Sequence, residues 1–272
     1  MKIDREESKK NKKGIKLAPI LLSMVMIGSG ISLTGCGPTE LAPDNSDLDV
    51  LSTNADNFSD LSSGVQQIKQ IDGESFQLVI NYYSNDKEWH INSNKNLYFS
   101  MKTMNLPENL EVYIDNIHMD TSIVSTMAGY NGIKQDSMDD RIHNSLMLGF
   151  PISDTENYTG INTIEGENQE FIQGYFYGYK HYEHGEIEQK RRLESEYLED
   201  GVYANRIDSV IDLIIVDKET GKPLRQKSID SQLLVEINNV VTFESGGEKI
   251  TYKYNRDGSK TQISNDYVSK SR

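Results

Sequence analysis

"RIDSVIDLIIVDKETGKPLRQKSI", residues 206–229, is the stretch that sets the fold class. Its first half alternates at period two. Ile211, Leu213 and Ile215 share one side of an extended chain, and Val210, Asp212, Ile214 and Val216 share the other. Both sides are largely apolar, so a strand here is covered on two faces and sits centrally in its sheet. "DKETGKPL", residues 217–224, then interrupts the run with polar residues and with Gly221, which supplies the positive φ that a tight turn needs. Strand, turn and returning strand make an antiparallel hairpin.

The same period recurs on both sides of this hairpin. "FQLVINYY" (76–83) places Phe76, Leu78, Ile80 and Tyr82 on one face, and "NLYFSMKTM" (96–104) places Leu97, Phe99 and Met101 likewise. "LEVYIDNIHM" (110–119) aligns Leu110, Val112 and Ile114, slips at Asn116, and resumes with Ile117 and Met119, the mark of a bulge. "NLPENL" (105–110) connects the last two runs, with Pro107 as breaker. "SLMLGFPI" (145–152) reads as a further strand, and so does "QEFIQGYFYGYKHY" (169–182), with Phe171, Tyr175, Tyr177 and Tyr179 on one parity. Residues 126–144 and 153–168 read as polar loops. Residues 231–264 add two more hairpin turns, at "SGG" and "RDG". "EHGEIEQKRRLESEYLEDG" (183–201) reads as a helix closed by Gly201, with Glu186–Lys190 and Glu188–Arg192 spaced four apart.

Short strands with loop punctuation predict an all-β domain, by fold-level analogy an immunoglobulin-like sandwich, either one elaborated sandwich or two small ones. It is expected to span 73–264, with residues 265–272 as a frayed tail and at most one or two short helices. Trp89 in "KEWHI" is a candidate core tryptophan. Residues 36–72, rich in Asp, Asn, Ser and Pro, read as a flexible acidic tether.

Upstream, residues 1–16 carry seven Lys/Arg against three Asp/Glu, and Leu17 to Leu33 carry no charge. A basic n-region followed by an apolar h-region and a small-residue exit is a secretory signal, here residues 1–35. The apolar run is interrupted by Pro19, Gly28 and Gly30, and it falls short of the roughly 20 apolar residues of a spanning helix. Leu33-Thr34-Gly35-Cys36 resembles the lipobox of bacterial lipoproteins. That resemblance implies cleavage before Cys36, a diacylglycerol thioether on its sulfur, and acylation (palmitate-type) of the new amino terminus. Two or more acyl chains hold a protein on a membrane where one does so only marginally. The implied location is the extracytoplasmic face of the cell membrane. The abundance of Asn, Lys, Asp and Ile resembles a low-GC coding bias and points to a Gram-positive host.

The chain carries a formal net charge of −14. Beyond the signal, 21 bases face 39 acids, a net charge of −18. Such a surface repels phosphates, which excludes nucleic acid as a partner. The partners expected are the lipid bilayer, through Cys36, and a protein of the envelope. With Cys36 the only cysteine, no disulfide forms within the chain, and stability rests on the core.

The search for chemistry finds little. His181, Glu183, His184 and Glu186 lie close together and invite a zinc hypothesis, but the spacing matches neither H-E-x-x-H nor H-x-x-E-H. A solvated polar loop after a strand is the simpler reading, and no metal site is expected. There is no G-x-S-x-G elbow, no P-loop and no G-x-G-x-x-G. No cofactor is expected. Tyr175, Tyr177 and Tyr179 either pack the core or form an aromatic platform for sugar rings or a protein partner. The resulting expectation is a non-catalytic, membrane-anchored binding protein, part of an envelope or secretion or conjugation assembly. The alternatives are a metal-assisted hydrolase at the cell surface and a solute-binding lipoprotein of a transporter. The second lacks the alternating β-α pattern of such folds.

Overall fold

The computed structural model describes residues 58–142, 148–178, 192–245 and 247–267. The described chain forms twelve strands and two short helices, and all strand pairing between named strands is antiparallel. β1 (Val65–Gln70), β2 (Gln77–Tyr83), β3 (Lys95–Met104) and β7 (Tyr158–Ile164) make the first sheet, in the order β1-β2-β3-β7. β5 (Lys134–Arg141), β4 (Leu110–Ser125), β8 (Val202–Asp217) and β9 (Lys222–Glu236) make the second in that order, with β6 (Phe150–Ile152) also paired to β4. β10 (Val240–Ser245), β11 (Glu248–Tyr254) and β12 (Lys260–Tyr267) form a third, separate sheet. Helix α1 (Gln169–Gly178) and helix α2 (Glu194–Glu199) lie between β7 and β8 in the chain.

The opening stretch behaves as its alternation requires. β8 runs between β4 and β9, and Ile211, Leu213, Ile214, Ile215 and Val216 are all buried. Gly221 turns the chain into β9 at φ 66°, and its N–H donates to Asp217 O at 2.8 Å. The slip at Asn116 is a register shift between Ile114 and Asn116 in the β4–β8 pairing. "NLPENL" is a tight connection organised by the Asp154 carboxylate, which accepts the Asn105 and Leu106 N–H groups and the Thr103 hydroxyl.

The first two sheets face each other as a sandwich. One hydrophobic core draws Leu78, Ile80 and Tyr82 from β2, Leu97, Phe99 and Met101 from β3, Val112, Ile114 and Ile117 from β4, and Ile207, Ile211 and Leu213 from β8. Trp89 belongs to it, 3% exposed. At about 25 cal/mol per Å² of apolar surface removed from water, this layer is the main source of stability in a chain without disulfides. The sandwich is stitched along both sides. On one, Gln67 of β1 donates to Gln232 O of β9 at 2.8 Å and accepts from the Ser231 hydroxyl at 2.9 Å. On the other, Asp136 of β5 accepts the Glu165 N–H just past β7 at 2.7 Å.

A second core lies at one end. Phe171 and Tyr175 of α1, Tyr197 and Leu198 of α2, Tyr130, Val202, Ile237 and Tyr254 close over Ile91 and Ile123. The third sheet attaches there through Tyr254, Val241 and Tyr252.

Several expectations need correction. Residues 169–178 are helix, not strand. Phe171 and Tyr175 are four apart, so they share a face at the helical period as well as at the strand period, and Asn168 caps the helix by accepting the Phe171 N–H at 2.8 Å. The loops read at 126–144 and 153–168 contain β5 and β7. Both are edge strands with few apolar residues, Met138 in β5 and Tyr158, Ile161 and Ile164 in β7, so their apolar signal is thin. The tether does not extend to residue 72, because Val65–Gln70 is a strand and Leu61 is buried in the main core. The tail begins later than residue 265, since β12 continues to Tyr267. The helix read at 183–201 is described only from residue 192, where α2 covers Glu194–Glu199.

Candidate binding surface

Cys36 and the His181, Glu183 and His184 group lie outside the described residues, as does Tyr179. Tyr177 falls within α1, and nothing is described of its side chain. Tyr175 is placed, and it is core. It is 2% exposed, its ring stacks on Tyr130 at 4.5 Å and meets Tyr197 edge-on at 4.8 Å. Its hydroxyl donates to Asp200 at 2.8 Å, and the Arg192 guanidinium covers its ring at 4.9 Å while pairing with Asp200 at 2.9 Å. Burial first, then the Asp200 charge, raise the Tyr175 hydroxyl far above the ordinary phenol value. Tyr197, bonded to Glu167, is raised for the same reasons. These groups stay protonated and hold the α1–α2 end together.

The described histidines outside that segment pair with carboxylates. His90 meets Glu194 at 2.8 Å, and His118 lies 3.2 Å from Asp120. Among the described residues no group of three or more His, Cys, Asp or Glu side chains is arranged to hold a metal ion. Lys95 is the one strongly displaced base in the described chain. It is 1% exposed, and its ammonium donates to the carbonyls of His90, Ser93 and Ile91 at 2.7, 3.0 and 3.5 Å. Burial pulls it down to about 7 against the opposing charges of Glu194, Asp86 and Asp136. With three backbone carbonyls around it, it serves as the tie for the 84–95 loop.

Among the described residues two surfaces bear on binding. The first is the third sheet. Among the described residues β12 has a strand neighbour on one side only, β11, and its residues Thr261 to Ile263 are exposed, Ile263 by 54% at a shift in the β11–β12 register. Such an edge presents a row of unpaired N–H and C=O groups.

The second is the outer face of the first sheet. The register lines Tyr83, Tyr98 and Ile161 up across β2, β3 and β7. The two tyrosine rings stack at 4.8 Å and 13°, with Tyr83 47% and Ile161 56% exposed. One row along, Gln66, Asn81, Ser100 and Thr159 lie side by side. Gln66 donates to Asn81 at 2.9 Å and Asn81 to Ser100 at 3.3 Å. On the other side of the tyrosines, Thr163 donates to Asn96 at 2.9 Å. Sequence reasoning looked for an aromatic platform in 175–179 and missed this one. Its signal was present, since the parity of 77–83 and 96–104 opposite to the core reads Gln, Val, Asn, Tyr and Asn, Tyr, Ser, Lys. What brings the two tyrosines together is the β2–β3 register, which one strand does not encode.

Among the described residues no helix is long and apolar enough to cross a membrane. No protein-family model matches the chain, and no curated protein matches it.

Proposed function

We propose that the protein is a bacterial surface lipoprotein, held at the extracytoplasmic face of the cell membrane by a diacylglycerol on Cys36, with a non-catalytic β-sandwich that binds a protein partner of the envelope. The Leu33-Thr34-Gly35-Cys36 stretch and the basic-then-apolar segment before it support the anchor. The observation that carries the partner reading is the free edge of β12. An open strand edge offers alternating backbone donors and acceptors, and the group that satisfies them in full is another polypeptide backbone. The partner is accordingly an extended segment of an envelope protein, such as a subunit of a secretion or conjugation assembly.

The test uses the full chain with Cys36 intact, cross-linked in its native envelope. The expected result is one stoichiometric partner, with the β12 amides slowed in hydrogen exchange when it is bound. Ile263→Lys, which places a charge on an exposed edge position, should abolish capture without altering the fold, because Lys on an edge blocks strand addition. Undiminished capture by that variant, or unchanged exchange at β12, removes the edge from the account.

A further inference from the structure

We propose that the outer face of the β1-β2-β3-β7 sheet is a binding site for a neutral polysaccharide, with Tyr83 as the stacking surface and the Gln66–Asn81–Ser100 row as the hydroxyl-reading ladder. This goes beyond the partner reading and rests on different residues, so each can fail alone.

The charge distribution is the first argument. The chain has 42 acidic residues, yet among the outward positions of β1, β2, β3 and β7 Lys102 is the one charged residue. An acidic protein that keeps one sheet face nearly free of charge has a surface suited to a neutral ligand. It neither recruits nor repels an ionic one there.

The second argument is chemical. Sugar rings present apolar C–H faces and a rim of hydroxyls. Tyr83 is the outermost ring of a stacked pair, one face covered by Tyr98. β1 begins at Val65, opposite Tyr82, so no β1 strand residue pairs with Tyr83. Tyr83, stacked on Tyr98 and 47% exposed, thus has ring surface available for a sugar face. Among the described residues the Tyr83 and Tyr98 hydroxyls make no hydrogen bond, and both remain able to give and accept one.

The third argument is spacing. Same-face rows in a sheet are two residues apart, roughly 6.7 Å. The amide and hydroxyl rows therefore flank the aromatic row on both sides at about the width of a pyranose. In the ladder Gln66 spends one N–H, and Asn81 spends one N–H and one carbonyl lone pair, which fixes their rotamers and leaves each amide a second N–H and further acceptor capacity for a ligand. β2 and β3 pair with each other through Tyr83 and Tyr98, so the face itself presents side chains and not backbone groups to a ligand.

The test is affinity electrophoresis of the detergent-solubilised full chain in gels containing hydroxyethylcellulose, laminarin or galactomannan, with alginate as the anionic comparison. The site predicts retardation in at least one neutral gel and none in alginate. Tyr83→Ala should weaken that binding at least tenfold and Asn81→Ala severalfold, with unfolding midpoints close to the parent because Tyr83 is half exposed. Ile263→Lys should leave it unchanged. Free migration in all three neutral gels overturns the proposal, and so does retardation that Tyr83→Ala and Asn81→Ala both leave intact. Capture of an envelope polypeptide that depends on Tyr83 would overturn it in favour of a protein ligand on this face.

Discussion

Lys95 is the residue whose environment departs most from what its type prefers. Lysine is almost never fully buried without a partner, and here the partners are three carbonyls of one loop. Between about pH 7 and its unfolded value near 10.4, the folded protein holds fewer protons at this site than the unfolded chain. Stability therefore rises with pH across that window, by about 5 kcal/mol at most from this group. Above about pH 10 the trend reverses, because Tyr158, Tyr175 and Tyr197 have raised hydroxyls that the unfolded chain releases first. Urea titrations from pH 6 to 9.5 should show the rise in the parent. Lys95→Met should flatten it and lower stability at pH 9 by about 2–4 kcal/mol, the cost of leaving buried carbonyls unbonded. A parent curve that falls from pH 7 to 9 would contradict this assignment. None of this was legible in the sequence, where Lys95 is one of many lysines between polar neighbours and only the loop that folds back on it makes it buried.

At the scale of the element, α1 and the third sheet carry the test. Asn168 caps α1 and also donates to Gln135 O at 2.6 Å, so Asn168→Ala should cost about 1–2 kcal/mol in urea unfolding, and Asn168→Asp less. Gly258 turns the chain from β11 into β12 at φ 80°, and a Cβ there would come within 2.1 Å of Glu199 O at the end of α2. Gly258→Ala should cost roughly 2–3 kcal/mol from strain and contact, and should speed hydrogen exchange in β10–β12 before the sandwich itself loosens. Element type was readable where one period alone fits. β8, β4, β2 and β3 alternate strictly and bury one or both faces, so they were found with their bulge and hairpin. In 169–178 the aromatics satisfy both periods, and the deciding facts are an Asn cap and a tyrosine partner thirty or more residues away. β5 and β7 escape the pattern because they are edge strands with few apolar residues, and Gln135 and Asn162 take inward positions where an apolar residue would mark the period.

For the whole molecule, the account joins an anchor read from sequence to two surfaces read from structure. The sandwich was foreseeable, since a chain with alternating runs and no cysteine pair can bury enough only by laying one sheet on another. The surfaces were not, because each depends on which strands become neighbours. The strand edge and the tyrosine face are held at the membrane surface only if Cys36 carries lipid. Replacing it should remove the lipid: Cys36→Ser should abolish incorporation of labelled fatty acid into the chain, and its unfolding curve should stay that of the parent. The most direct measurement is the mass of the amino-terminal peptide of the native protein. The account predicts a chain that begins at Cys36 and carries a thioether-linked diacylglycerol, and a peptide that still begins at Met1, or a free thiol at Cys36, would contradict it.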